Sequence, residues 1–422
     1  VDTEDDGGGA DARAGDATVS DAHRDSASDA RRDGTATDND ACVVPDGSPK
    51  AGPLGFVPSN FNPLALLYAD GGPVPTDGGP EAGVIDWTGA PDAVVDKDCA
   101  TTGVPACLGV SPVTITIAKG PPTCEPACLA DLYVLNSLLI ESGVSLTFSY
   151  NPDTNPASRP IILAVRTTAQ IQGTLNVAGS ADSVGPGGFP FATYSLGPGG
   201  GGNGEIPAQY PDSDPGGGAF CGSGGRGGFT SGMPATGGGS YGSPTIVPLQ
   251  GGSAGGWADD LSNYPGGAGG GVQISAGSNI IVATAGVINA NGGGYFGGGG
   301  SGGAILLEAP TVTIHGIVVA NGGSGGSYLT SGNPVGHDGQ LNDTPAVGYY
   351  DGGKGGAGST VNGANGGVFD AGDASTHVSA GGGGAGWIRI NTACGPVITE
   401  DSGSTFVSPA LDSGCASTGP LN

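Results

Sequence analysis

VQISAGSNIIVATAGVINANG, residues 272–292, closes on two glycines six positions apart, Gly286 and Gly292, with Ile288 and Ala290 as the second and fourth residues between them. Two other stretches close the same way. IILAVRTTAQIQGTLNVAG (161–179) places Leu175 and Val177 between Gly173 and Gly179, and AILLEAPTVTIHGIVVANG (304–322) places Val318 and Ala320 between Gly316 and Gly322. An apolar residue at every second position is the period of a strand with one inward face. The second and third glycine pairs lie 30 residues apart. The copies differ in one respect: Ile171 and Ile314 stand two residues before their glycine, whereas Val282 stands four before Gly286. Partial copies occur at 138–148 (LLIESGVSLTF) and 387–391 (WIRIN).

Each copy is too short to bury a face alone. Stacked in parallel, the copies share one inner row and supply each other's hydrogen bonds. The expected fold is therefore all-β, a short parallel β-solenoid. Asn291-Gly292 and Asn321-Gly322 end two copies and are expected to turn corners through left-handed backbone. Long Gly-rich excursions separate the copies at 180–270, 293–303 and 323–386; they are either flexible or packed as polyglycine strands against the solenoid. Gly and Pro make up 122 of the 422 residues, which is also the composition of disordered chains.

The flanks read differently. Residues 1–41 carry 12 acidic and 4 basic side chains and no Leu, Ile, Phe, Tyr or Trp. Nothing there offsets the entropy of ordering a backbone, so a disordered acidic tether is expected. Residues 42–130 are expected to form a Pro/Cys-rich cap, 131–393 the solenoid with its insertions at 180–270 and 323–386, and 394–422 a C-terminal cap or tail. The formal net charge of −27 with only 12 Lys and Arg argues against nucleic acid and against an anionic membrane surface as partners. No run of apolar residues is long enough for a transmembrane span.

Eight cysteines, Cys42, Cys99, Cys107, Cys124, Cys128, Cys221, Cys394 and Cys415, form no CxxC. An even set in a loop-rich chain points to disulfides and an oxidising compartment, with pairing left open. Zinc is the weaker reading: Cys124 and Cys128 have a tolerable spacing, but Cys99 and Cys107 are too far apart for a knuckle. Residue 1 is Val, from which an export signal removed ahead of it is expected.

The series LLIESGVSLTF, IILAVRTTAQIQGTLNVAG, VQISAGSNIIVATAGVINANGGG, GGAILLEAPTVTIHGIVVANGG and GGGGAGWIRIN resembles a group of exported Gly-rich Gram-negative surface proteins. The resemblance covers about 131–393; more distantly, the series is similar to autotransporter and haemagglutinin-type adhesin repeats. It implies a short parallel β-helix, an extracellular or outer-membrane surface location and, in many members, a lipid anchor preceding residue 1. It implies no catalytic residue.

Candidate chemistry is sparse. Gly-x-Ser-x-Gly occurs at Ser240, Ser301 and Ser324, and a GxGxxG match lies within 297–303, but no helical pattern follows to make a nucleophile elbow or a phosphate cradle. His23, His315, His337 and His377 are scattered. Asp338, Asn342 and Asp343 could hold calcium through oxygen ligands, against the default of a polar turn. A polysaccharide lyase would need clustered carboxylates beside an Arg or Lys base; Arg166 and Arg389 lie on strand segments, yet Glu308 is the one acid in the third copy. Trp257, Tyr295, Phe296, Tyr328, Tyr349, Tyr350 and Phe369 lie in Gly-rich loops, where they either stack on a polysaccharide or protein partner or pin the loops down. The expectation is a non-catalytic structural or adhesive surface protein. The alternative is a carbohydrate-active enzyme, either lyase or hydrolase, or a carbohydrate-binding module on a β-helix.

Overall fold

The computed structural model describes residues 52–63, 87, 89–97, 99, 104–119, 127–150, 158–181, 183–189, 197–204, 213–230, 233–257, 264–327, 335–348, 350–370, 376–399 and 405–421. All belong to the unit Cys42–Asn422. The tether expected at 1–41 lies outside the described residues, as do Cys42, Cys124, Tyr328 and Tyr349.

The protein is nearly all β. After a 3-10 turn at Gly52–Leu54, the described chain runs through β1 (Asp92–Val95), the five-residue helix α1 (Val104–Leu108), β2 (Val113–Lys119) and β3 (Ala127–Leu135). From there it takes strands in threes. The triplets are β4 (Ser137–Ile140), β5 (Ser145–Thr147) and β6 (Ile161–Val165), then β7 (Thr168–Ile171), β8 (Thr174–Asn176) and β9 (Gly271–Ala276). They continue with β10 (Asn279–Val282), β11 (Val287–Asn289) and β12 (Ala304–Ala309), then β13 (Thr311–Ile314) and β14 (Ile317–Val319). A hairpin of β15 (Val368–Asp370) and β16 (Thr376–Val378) intervenes before β17 (Trp387–Thr392), and β18 (Val397–Ile398), β19 (Phe406–Ser408) and β20 (Ala416–Pro420) close the chain.

The members of each triplet go to three different sheets. Their orders are β1-β4-β7-β10-β13-β18, β5-β8-β11-β14-β19 and β2-β3-β6-β9-β12-β17-β20. Every pairing in them is parallel except β2 with β3. Register follows the inner row: Leu146 pairs with Leu175, Leu175 with Ile288, Ile288 with Val318 and Val318 with Val407. Ile171, Val282 and Ile314 are likewise in register, so the two extra residues of the second copy sit in the turn that Gly286 closes on Ala283. Inward residues of all three sheets make one core.

The third sheet departs from the one-faced strand expected. β6, β9 and β12 are buried at every position, the pattern of a sheet covered on both sides. A second apolar cluster explains it: Leu54, Phe56, Phe61, Trp87, Phe220, Ile246 and Leu249 pack on Ile162, Ala164 and Leu306.

The Gly-rich excursions 180–270, 293–303 and 323–386 all leave between the second and third strands of a triplet. Apart from the β15–β16 hairpin, their described glycine tracts pack on one another without forming strands. Successive amides of 381–386 bond different neighbours, and residues three apart bond the same one. Gly381 and Gly384 donate to Pro215 and Gly218; Gly382 and Ala385 to Ala364 and Val361; Gly383 and Gly386 to Gly323 and Ala320. In return Gly299 and Gly302, Gly225 and Gly222, and Gly356 donate to carbonyls of the same stretch. Period three with no internal bond is the geometry of an extended polyproline II chain. The stretch 379–386 is thus ringed by six others: 215–218, 222–228, 299–302, 320–326, 353–356 and 361–364. Every backbone pairs with a different part of the sequence, which satisfies the polar groups that burial removes from water.

Space, more than conformation, demands glycine here. A Cβ on Gly383 would lie far inside contact distance of the Gly300 carbonyl, and one on Gly217 would strike Gly382. Neither residue has a positive φ. The corner expectation fails for the same reason. Asn291, Gly292, Asn321 and Gly322 all lack positive φ; the glycines make room for neighbouring carbonyls, and the asparagines are buried hydrogen-bonding clamps.

Two disulfides are defined, Cys99–Cys107 and Cys221–Cys415, and Cys128 and Cys394 are also disulfide-bonded. Cys221–Cys415 ties the first excursion to the turn before β20.

Candidate functional site

The asparagine clamps fix a surface loop. Asn291 and Asn321 occupy equivalent positions on successive triplets and are 1% and 0% exposed. Asn291 Nδ2 donates to the carbonyls of Gly339 (2.8 Å) and Gln340 (3.1 Å), and Asn321 Nδ2 to those of Gln340 (2.8 Å) and Asn342 (2.7 Å). Their own carbonyl oxygens are also engaged: Asn321 N donates to Asn291 Oδ1 at 2.7 Å and Ser408 Oγ to Asn321 Oδ1 at 2.6 Å. Ser324 holds the start of the same loop. Its Oγ accepts from His337 N (2.7 Å) and donates to Val347 O (3.1 Å). Gly294 N donates to Asp338 Oδ1 at 2.9 Å.

The loop so fixed carries an open groove of about 330 Å3, lined by His337, Gln340, Asn342, Thr344, Pro345 and Val347. Within it Gln340 Nε2 donates to Asp338 O and Asn342 Oδ1 accepts from Thr344 N.

The calcium candidates are spread over this loop. Asp338 is tied to Gly294 and Asn342 to its own turn. Asp343 is exposed, and no group of three His, Cys, Asp or Glu suited to a metal occurs among the described residues.

The aromatic candidates behave individually. Trp257 is half-buried beside Val184, Ala254 and Ala268, and its ring meets Tyr264 at 5.2 Å. Tyr295 and Phe296 pack on each other at 4.3 Å. Tyr350 is 53% exposed on a left-handed pair with Asp351, where Ser379 Oγ donates to its carbonyl. Phe369 lies on β15; its side chain, like that of His377, is outside the described set.

The serine motifs are structural. Ser301 Oγ accepts from Ser253 N inside the glycine array, Ser324 holds the loop, Ser240 is exposed, and among the described residues no helix follows any of them. His315 lies half-exposed at a corner and His337 is exposed at the groove.

Two acids are buried: Glu308, noted in the sequence as the lone acid of its copy, and Asp214, which the sequence reading passed over. Glu308 is 1% exposed on the outer face of the third sheet. Its carboxylate accepts from Ser59 N and Oγ, Gln273 Nε2 (2.8 Å), Ser275 Oγ (3.1 Å) and Asn391 Nδ2 (3.1 Å). A carboxylate with that many donors is a structural hub that fastens 52–63 to the sheet. Arg389, nearby in register, is turned to Asn391 Oδ1 and Ser417 Oγ, so Arg and Glu do not form a proton-transfer pair. The signal in the sequence was a lone Glu in the apolar run AILLEA.

Asp214 is 3% exposed in the first excursion, and burial holds its carboxyl well above the usual carboxylate range. Its Oδ2 has no hydrogen-bond partner. Burial also raises the Tyr241 phenol, which donates to Gly251 O at 2.9 Å and packs on Phe220 at 4.7 Å.

No helix among the described residues is long and apolar enough to cross a membrane. Compared with models of known families, with curated proteins and with solved structures, the chain matches none.

Proposed function

We propose that the protein is a short parallel β-solenoid exported to a Gram-negative cell surface, where it acts as a non-catalytic structural or adhesive scaffold displaying Gly-rich loops. The observation that carries this reading is the glycine array. Three excursions from one side of the strand column interlock through backbone hydrogen bonds and hold the loops between their segments in place. Among the described residues, a mesh of buried amides with few exposed side chains leaves a protease little accessible backbone to bind, which suits a spacer outside the cell. The disulfides fit an oxidising compartment.

Two measurements test it. Protease treatment of intact producing cells should remove the chain from the surface, and survival of the chain in that treatment alongside cytoplasmic markers would refute the location. Purified protein should keep 213–386 as a protected core under proteinase K, with cuts confined to a few loops. Early cleavage throughout that region would refute the scaffold.

A further inference from the structure

The groove at 337–347 has the composition of a ligand site and an unusual degree of fixation. Two buried asparagines, Asn291 and Asn321, hold three carbonyls of its loop, those of Gly339, Gln340 and Asn342. Ser324 and Gly294 hold its start. A polar loop on a surface ordinarily costs conformational entropy to order on binding; here folding has already ordered it.

The lining chemistry narrows the ligand. Gln340 uses its NH2 on Asp338 O, which leaves its carbonyl oxygen as an acceptor. Asn342 uses its carbonyl oxygen on Thr344 N, which leaves its NH2 as a donor. The Thr344 hydroxyl both donates and accepts. Pro345 and the 55% exposed Val347 add apolar surface. Alternating donors and acceptors beside an apolar patch match a pyranose, whose hydroxyls do both and whose ring face is C–H. None of the six lining residues is Lys or Arg, Asp338 and Asp343 flank the groove in sequence, and the chain carries a net charge of −27. An anionic ligand is disfavoured on all three counts.

We propose that this groove is a binding subsite for a neutral saccharide unit. The inference deepens the display reading above and rests on it, since the loop is among those the scaffold would present.

Native gels of the full disulfide-bonded chain, cast with dextran, galactomannan or xylan as neutral probes and polygalacturonate as the anionic one, test the proposal. Retardation is expected with at least one neutral polymer and not with polygalacturonate. Gln340→Ala combined with Asn342→Ala should weaken that binding at least tenfold with the melting temperature unchanged. Should that pair perturb folding, Thr344→Arg decides, because it fills the groove from an exposed position and spares the buried clamps. Retardation by none of the neutral polymers, retardation by polygalacturonate alone, or wild-type binding by Thr344→Arg would overturn the subsite. Proteinase K protection of 213–386 is read separately, so loss of the subsite and loss of the scaffold are distinguishable.

Discussion

The strand column and the glycine array bury comparable backbone by opposite means. In the column, residues such as Leu175, Ile288 and Val318 are fully buried, stack one above another and bring three short strands into register. Side chains specify the arrangement and hydrogen bonds follow. In the array, 381–386 consists of glycines and one alanine, and hydrogen bonds to six separate stretches are the arrangement. Packing there depends on what is missing from each residue. The column should therefore respond to side-chain removal in graded fashion, whereas the array should respond to side-chain addition abruptly.

The largest effect is expected at the centre of the array. Gly383→Ala puts a methyl into the Gly300 carbonyl, and the chains on both sides must separate. The loss should exceed about 4 kcal/mol, the range reserved for disrupted cores, read as a lower urea midpoint. The same change at exposed Gly239, where a Cβ meets nothing within 4 Å, should stay within about 0.5 kcal/mol. Equal effects at the two positions would show that glycine matters here for chain entropy rather than for space.

Next is the column. Ile288→Ala removes buried methyl groups between Leu175 and Val318 and should cost about 2–5 kcal/mol. If hydrogen exchange in 379–386 rises together with that in β11, the two halves unfold as one cooperative unit; independent rises would make them separate units.

The smallest effect is electrostatic. Burial raises the pKa of Asp214 well above the ordinary value of 3.8, so the fold favours its protonated form. Its contribution to stability is full below that value and is lost as pH rises toward the folded-state pKa, because the unfolded chain gives up the proton first. Asp214→Asn should remove this fall and raise the melting temperature at pH 7 relative to pH 4. A pH profile of melting unchanged by the substitution would contradict the assignment.

The column was legible in the sequence and the array was not, for a physical reason. Ile288 and Val318 announce themselves by alternation, a local pattern that depends on the chain's own period. Gly383 bonds Gly323 and Gly356, and nothing near it in sequence names those partners. Since most members of the array are glycine, its order is invisible in composition, and the same glycine content would suit a disordered chain. Asn291 and Asn321 were noticed, but for a turn they do not make; their amides reach a loop some 20–50 residues downstream. Glu308 was legible as an oddity, while its partner Ser59 lies 249 residues away.

The placement of the excursions has a wider consequence. The passage from β11 to β12 and the passage from β14 to β17 differ severalfold in length, yet Ala304 still pairs with Trp387. Material added at that corner leaves the alignment of the rungs unchanged. A lineage could thus enlarge or exchange what it exposes, one excursion at a time, while inheriting the pillar unchanged.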